Sequence, residues 1–204
     1  MTRKPAPTAR ARSGLIAGLV ALLLAALTAC GGETADPAAN GAAYNDADVR
    51  FATEMIQHHA QALQMVDLTV GRALDPEVQA LAEAILGAQG PEIETMTTWL
   101  TDWGQPIPST SRDHVNADGG HDDSEMMDMP GMMSGEEMAG LETAPDAEFQ
   151  TLWMTAMIRH HEGAIQMAGV EKAEGRFPEA VELAESIASA QAAEIAEMEL
   201  LLGR

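Results

Sequence analysis

The strongest constraint on this chain is an internal repeat with an offset of 102 residues and no gap. Met55-Ile56-Gln57-His58-His59-Ala60-Gln61-Ala62-Leu63-Gln64-Met65 returns as Met157-Ile158-Arg159-His160-His161-Glu162-Gly163-Ala164-Ile165-Gln166-Met167. The register then persists. Pro76-Glu77 matches Pro178-Glu179, Ile85 matches Ile187, and Gln89, Glu92, Ile93 and Met96 match Gln191, Glu194, Ile195 and Met198. Identities this clustered exceed what shared alanine content produces, so the chain is a duplicated unit of two segments.

Each segment carries helical periodicity. Phe51, Met55, His58, Ala62, Met65 and Thr69 step by four and three, and Ala52, Ile56, His59, Leu63, Val66 and Val70 form the adjacent row, so both histidines of a step lie on one broad, mostly apolar face. Ala82, Leu86, Gln89, Ile93, Met96 and Leu100 repeat the pattern in the second segment, flanked by Ile85 and Glu92. Asp75-Pro76 reads as a cap and first helical residue, and Phe177-Pro178 supplies the same proline in the second copy. The expected fold is all-α: a four-helix bundle of two antiparallel hairpins with very short turns, related by a pseudo-twofold axis that brings the two His-His steps together. One hairpin alone cannot bury both faces, so residues 44–204 are expected to be one domain, with hairpins at about 44–104 and 146–204.

The N-terminal segment is of another kind. Arg3, Lys4, Arg10 and Arg12 precede an apolar run from Gly14 to Leu27 that is too short for a comfortable membrane span. The run ends in Leu27-Thr28-Ala29-Cys30, which resembles a bacterial lipobox. Residues 1–29 then read as an export signal, Cys30 as the lipidated (palmitate-bearing) first mature residue, and residues 30–43 as a flexible tether. An ordinary secretory peptide with an incidental cysteine is the alternative. The expected location is the extracytoplasmic face of the cell membrane, held by the lipid anchor. With the chain's one cysteine acylated, no thiol or disulfide chemistry remains for the folded body.

Charge narrows the partners. The chain has 32 acidic and 11 basic residues, for a net −21; cleavage before Cys30 removes four bases and no acid, leaving −25. Nucleic acid and anionic lipid surfaces are thereby disfavoured, and cations are attracted.

Between Trp103-Gly104 and Asp146 the helical pattern stops, leaving a linker over about residues 105–145. It is acidic, carries His114 and His121, and contains Met126-Met127-Asp128-Met129-Pro130-Gly131-Met132-Met133. Thioethers are soft donors suited to Cu(I) or Ag(I), and outside the cytoplasm methionine serves where cysteine would oxidise. Alternatively Met132, Met133 and Met138 plug the bundle as apolar filler, and the two readings are compatible. Ser134 with Glu137 resembles a capping box opening a short helix through about Glu142.

The two His-His steps are the candidate binding centre. Each has a methionine three residues before it, Met55 and Met157, and another six after it, Met65 and Met167. Gln89, Glu92 and Met96, and in the second copy Gln191, Glu194 and Met198, face the same interior if the hairpins pair as expected. Burying four imidazoles and two carboxylates costs about 1–3 kcal/mol for each unpaired group, so a metal ion or a His-Glu network must offset it. Imidazole with thioether favours copper. A ferritin-type di-iron site needs Glu-x-x-His, and neither copy has one ending in its step; Glu54 becomes Ala156 in the second copy. Met at helical spacing is also ordinary core filler.

Met-Ile-x-His-His in both copies, Gln89-x-x-Glu92-Ile93-x-x-Met96 with Trp99-Leu100 and Trp103-Gly104, and Met-Pro-Gly-Met-Met-Ser in the linker resemble the DUF305 family of extracytoplasmic bacterial proteins. The resemblance covers most of residues 45–202. It implies a ferritin-like four-helix bundle and, for some members, copper or silver binding and tolerance, with His58, His59, His160 and His161 as the functional residues together with the Gln, Glu and Met positions above. The second copy has Leu201-Leu202 where the first has Trp99-Leu100, which points to a packing role for the tryptophans. The expected function is a lipid-anchored copper-binding protein for buffering, tolerance or transfer. A metallo-oxidase and a metal-free structural or partner-binding lipoprotein are the alternatives. No nucleophile triad or Gly-rich phosphate loop is apparent, so a binding role is expected ahead of an enzymatic one.

Overall fold

The computed structural model describes residues 43–110 and 129–203. The expected export signal, Cys30 and all but the last residue of the expected tether lie outside the described residues, as do His114, His121, Met126 and Met127.

Five helices make up the described part: α1 Asp46–Asp67, α2 Pro76–Asp102, α3 Gly135–Thr143, α4 Asp146–Glu174 and α5 Pro178–Leu201. None is long and apolar enough to cross a membrane. The pairs α1–α2 and α4–α5 are the two hairpins, and they join mainly through α1 against α4, with little contact between α2 and α5. The N-terminal half of α1 packs on the C-terminal half of α4 through Phe51, Met55, Ala164 and Met167. Its C-terminal half packs on the start of α4 through Met65, Val66, Phe149 and Trp153. The inner helices therefore run antiparallel, as duplication about a twofold axis requires.

Local chemistry sets the helix ends. Asn45 caps α1, accepting from the backbone N–H of Ala47 and Asp48, while the Asp48 carboxylate accepts from the Asn45 N–H at 2.6 Å. Ser134 and Glu137 form the expected capping box, and α3 runs one residue past the expected end. Pro76 and Pro178 open α2 and α5 as expected, but Asp75 does not cap α2 with its side chain. Gln150 of α4 takes both Asp75 groups: its Oε1 accepts from the backbone N–H at 2.9 Å and its amide donates to the carboxylate at 2.7 Å. At the other end Asp48, the residue equivalent to Gln150, accepts from the N–H groups of Arg176 and Phe177 at 2.9 Å each. Each inner helix thus holds the residues that lead into the outer helix of the opposite hairpin.

The turns are less alike than the repeat implies. Only Gly175, Arg176 and Phe177 separate α4 from α5, whereas α1 stops at Asp67 and leaves Leu68 to Asp75 outside helix. Thr69-Val70-Gly71 is a poor helix former where Glu171-Lys172-Ala173 is a good one, and Gly71 takes a left-handed φ of 80°. Val70, expected on the inner row, is therefore exposed. Leu86 is also exposed, and the buried row of α2 runs through Ile85 to Gln89 and Met96. Tyr44, Trp99, Trp103 and Phe177 pack together at one end of the bundle, with Tyr44 stacked on Trp103 at 4.5 Å. This is the packing role expected of the tryptophans.

Candidate metal centre

A layer of polar side chains divides the core in two. His58, His59, His160 and His161 are fully buried, with Gln89 and Gln191 nearly so. The antiparallel crossing of α1 and α4 places the His58 and His160 rings 3.7 Å apart, centroid to centroid, at 38°. The two steps meet, as the pseudo-twofold predicts.

The outer helices supply second partners at equivalent positions. His59 Nε2 donates to Glu92 at 2.8 Å, and His161 Nε2 donates to Glu194 at 2.6 Å. His58 Nε2 donates to the Pro130 carbonyl oxygen of the linker at 3.0 Å. Because carboxylate and carbonyl oxygens accept, these bonds put the proton on Nε2. The Nδ1 atoms of His58, His59 and His161, both ring nitrogens of His160, both amide atoms of Gln89 and Oε1 of Gln191 are buried with no hydrogen-bond partner among the described residues. Buried polar groups are ordinarily paired, so this concentration marks a place built for something else.

Electrostatics keep the middle of the layer neutral. Burial, followed by the neighbouring His59, pushes His58 down to about 3. His160 is also held well below its usual range, by burial and then by His58, His161 and His59. Neutral imidazole is the form that offers a lone pair to a metal ion.

The methionines fall on either side of this layer. Met55, Met96 and Met167 belong to one apolar cluster, and Met65, Met157 and Met198 to the other. Each cluster holds one methionine of every repeated kind, in the swapped combination that a twofold axis demands. The linker divides in the same way: Met129 is buried in the first cluster and Met133 in the second, with Met132 and Met138 partly buried against them. The apolar-plug reading thus describes the linker methionines that are placed.

One expectation is sharpened. Among the described residues no three His, Cys, Asp or Glu side chains form a ready cation cage. The donors the layer presents are imidazole nitrogens, with methionine sulfurs in the clusters on either side, types that suit soft ions.

The model of the family described as domain of unknown function (DUF305) matches residues 48–202. The chain belongs to the DUF305 family. Solved structures agree with that membership. A DUF305 fragment from Deinococcus radiodurans is 34% identical with a TM-score of 0.66, over 78% of this chain and 97% of that one. A DUF305 protein from Streptomyces coelicolor, named as a secreted protein, is 30% identical with a TM-score of 0.65, over 77% and 92%. CopM in its Cu(II)-bound form is 31% identical with a TM-score of 0.61, over 76% and 94%. CopM was also solved with Cu(I) and with Ag. No curated protein matches significantly.

Several residues of this DUF305 bundle escape a reading by motif. Pro130 and Gly131 lie against the centre, Gln61 grips the linker through Met133, and Gly163 makes room for it. The signal available was the repeat itself, since position 61 is Gln where position 163 is Gly, one of four differences in the eleven-residue stretch that the two copies share.

Proposed function

We propose that this protein is a lipid-anchored, extracytoplasmic binder of copper or silver ions that buffers them, confers tolerance or hands them on. The buried layer of His58, His59, His160 and His161 would hold the ion, with Gln89, Gln191 and the flanking Met55, Met65, Met96, Met157, Met167 and Met198 as further donors. Of the linker candidates, His114, His121, Met126 and Met127 would capture soft ions, whereas Met129, Met132 and Met133, packed in or against the apolar clusters, would be reached only if the linker moves, and the acidic chain would raise the local ion concentration.

One observation carries the reading. Three of four imidazoles donate Nε2–H to a fixed acceptor and leave Nδ1 buried without a partner, the arrangement that orients metal-binding histidines. The CopM forms with Cu(I), Cu(II) and Ag support the ion class, and the secreted Streptomyces relative supports an extracytoplasmic location.

Isothermal titration of the untagged chain with Cu(I) and Ag(I), beside a variant carrying His58→Ala, His59→Ala, His160→Ala and His161→Ala, is the test. The variant is expected to lose the tightest binding and retain weaker sites attributable to the linker. Unchanged stoichiometry and affinity in the variant would remove the buried layer from the account.

A further inference from the structure

The linker does more than join the hairpins. Its backbone passes from one apolar cluster to the other beside the histidine layer as a strap over residues 129–133, and a single strap laid across a duplicated pair must treat the two halves differently.

The strap is gripped on one side and admitted on the other. On α1, the Gln61 amide donates to the Met133 carbonyl at 2.8 Å and its Oε1 accepts from the Met133 N–H at 2.7 Å. On α4 the equivalent residue is Gly163, and a Cβ built there would come 1.9 Å from the Pro130 oxygen and 2.4 Å from its carbonyl carbon. Gly131 is equally confined: it takes a φ of 79°, and a Cβ there would meet the Arg159 carbonyl oxygen at 2.5 Å. Glycine is thus required on both faces of the contact. The seat exists for the Pro130 carbonyl, which accepts the His58 Nε2–H at 3.0 Å, whereas the strap offers no such acceptor to the His160 ring.

We propose that the strap is a positioning element: by holding the Pro130 carbonyl on His58 Nε2–H it commits His58 to binding through Nδ1 and makes the two halves of the duplicated centre chemically inequivalent. This rests on the metal-binding reading for its purpose, but the tautomer is fixed in the metal-free protein. A carbonyl behind a ligating imidazole sets which nitrogen is basic and holds the ring still, so the strap slows release of an ion held there.

The test uses Gly163→Ala, which drives the strap off without altering a candidate donor, and Gly169→Ala as its control on the same helix, where a Cβ meets nothing within 4 Å. Long-range 1H–15N correlation spectra of the metal-free chain are expected to show His58 as the pure Nε2–H tautomer in wild type and Gly169→Ala, and as a tautomer mixture in Gly163→Ala. Release of Cu(I) to a competing chelator is expected to be at least tenfold faster in Gly163→Ala alone. Gln61→Leu, which removes the grip from the α1 side, is expected to reproduce the mixture and carries the test should Gly163→Ala fail to fold. A pure Nε2–H tautomer persisting in both strap variants would overturn the proposal. Loss of the tautomer in a chain that binds no Cu(I) or Ag(I) would leave the positioning intact and overturn the proposed function instead.

Discussion

Glu171 is buried with its carboxyl facing that of Asp48, to which it hydrogen-bonds when protonated, and the Asp48 oxygens also take the N–H groups of Asn45, Arg176 and Phe177. Two adjacent buried carboxyls cannot both ionise cheaply, and Asp48 has the donors to keep the charge. Burial first, then Asp48, pushes Glu171 up to about 8, against a weaker opposing pull from Arg50, which is itself paired with Glu174. Since the folded chain binds this proton more tightly than the unfolded one, the contribution to stability is complete below about 4.5 and is lost as pH climbs through about 8. Chemical denaturation at pH 6 and pH 9 should show wild type losing a few kcal/mol over that interval, with a flatter profile in Glu171→Gln. An equally steep loss in the variant would place the titrating group elsewhere. The equivalent positions at the opposite end are Thr69 and Gln150, which do not titrate, so the effect belongs to one end of the bundle. None of this is legible in the chain, because Glu171 and Asp48 are 123 positions apart and nothing in either neighbourhood announces the other. The His-His steps were legible because duplication printed them twice and helical spacing put each on an apolar face.

Helix type and number follow from periodicity, whereas helix ends depend on competition between propensity and neighbours. The early end of α1 shows the first factor and the use of Asp75 by Gln150 shows the second. The middle of α2 shows a third. Gly87, Gly90 and Pro91 are poor helix residues, yet the helix continues through them from Pro76 to Asp102, as its apolar row implies. Gln89, Met96 and Leu100 are buried on either side of the proline, and burial of that face outweighs the lost hydrogen bond. An interior proline costs a helix about 3 kcal/mol, and position 193, its equivalent in α5, is alanine. Pro91 is exposed, so Pro91→Ala should stabilise the chain by about 1–3 kcal/mol in urea denaturation without repacking the core. A neutral or destabilising result would mean that the proline sets a bend that Glu92 needs in order to reach His59.

Both apolar clusters draw on both hairpins, and this decides how the whole molecule holds together. Met65, Val66, Val78 and Ile85 of the first hairpin share a cluster with Phe149, Trp153 and Met157 of the second. Phe51, Met55, Met96 and Leu100 share the other with Ala164, Met167, Ala184 and Ile187. The Trp153 indole N–H, buried at the seam, finds its acceptor in the Met65 carbonyl at 2.8 Å across the hairpin boundary. Separating the hairpins would expose the inner face of α1 or α4 together with half of the histidine layer, and nothing within a single hairpin replaces that burial. Residues 44–104 and 146–204 expressed as separate chains should each show helical circular dichroism but rapid amide exchange and no sharp urea transition. Mixed in equal amounts they should recover a cooperative transition, because the interface between α1 and α4 supplies what each lacks. Slow exchange in either fragment alone would show that a hairpin is its own folding unit, and the histidine layer would then be a docking surface between two domains.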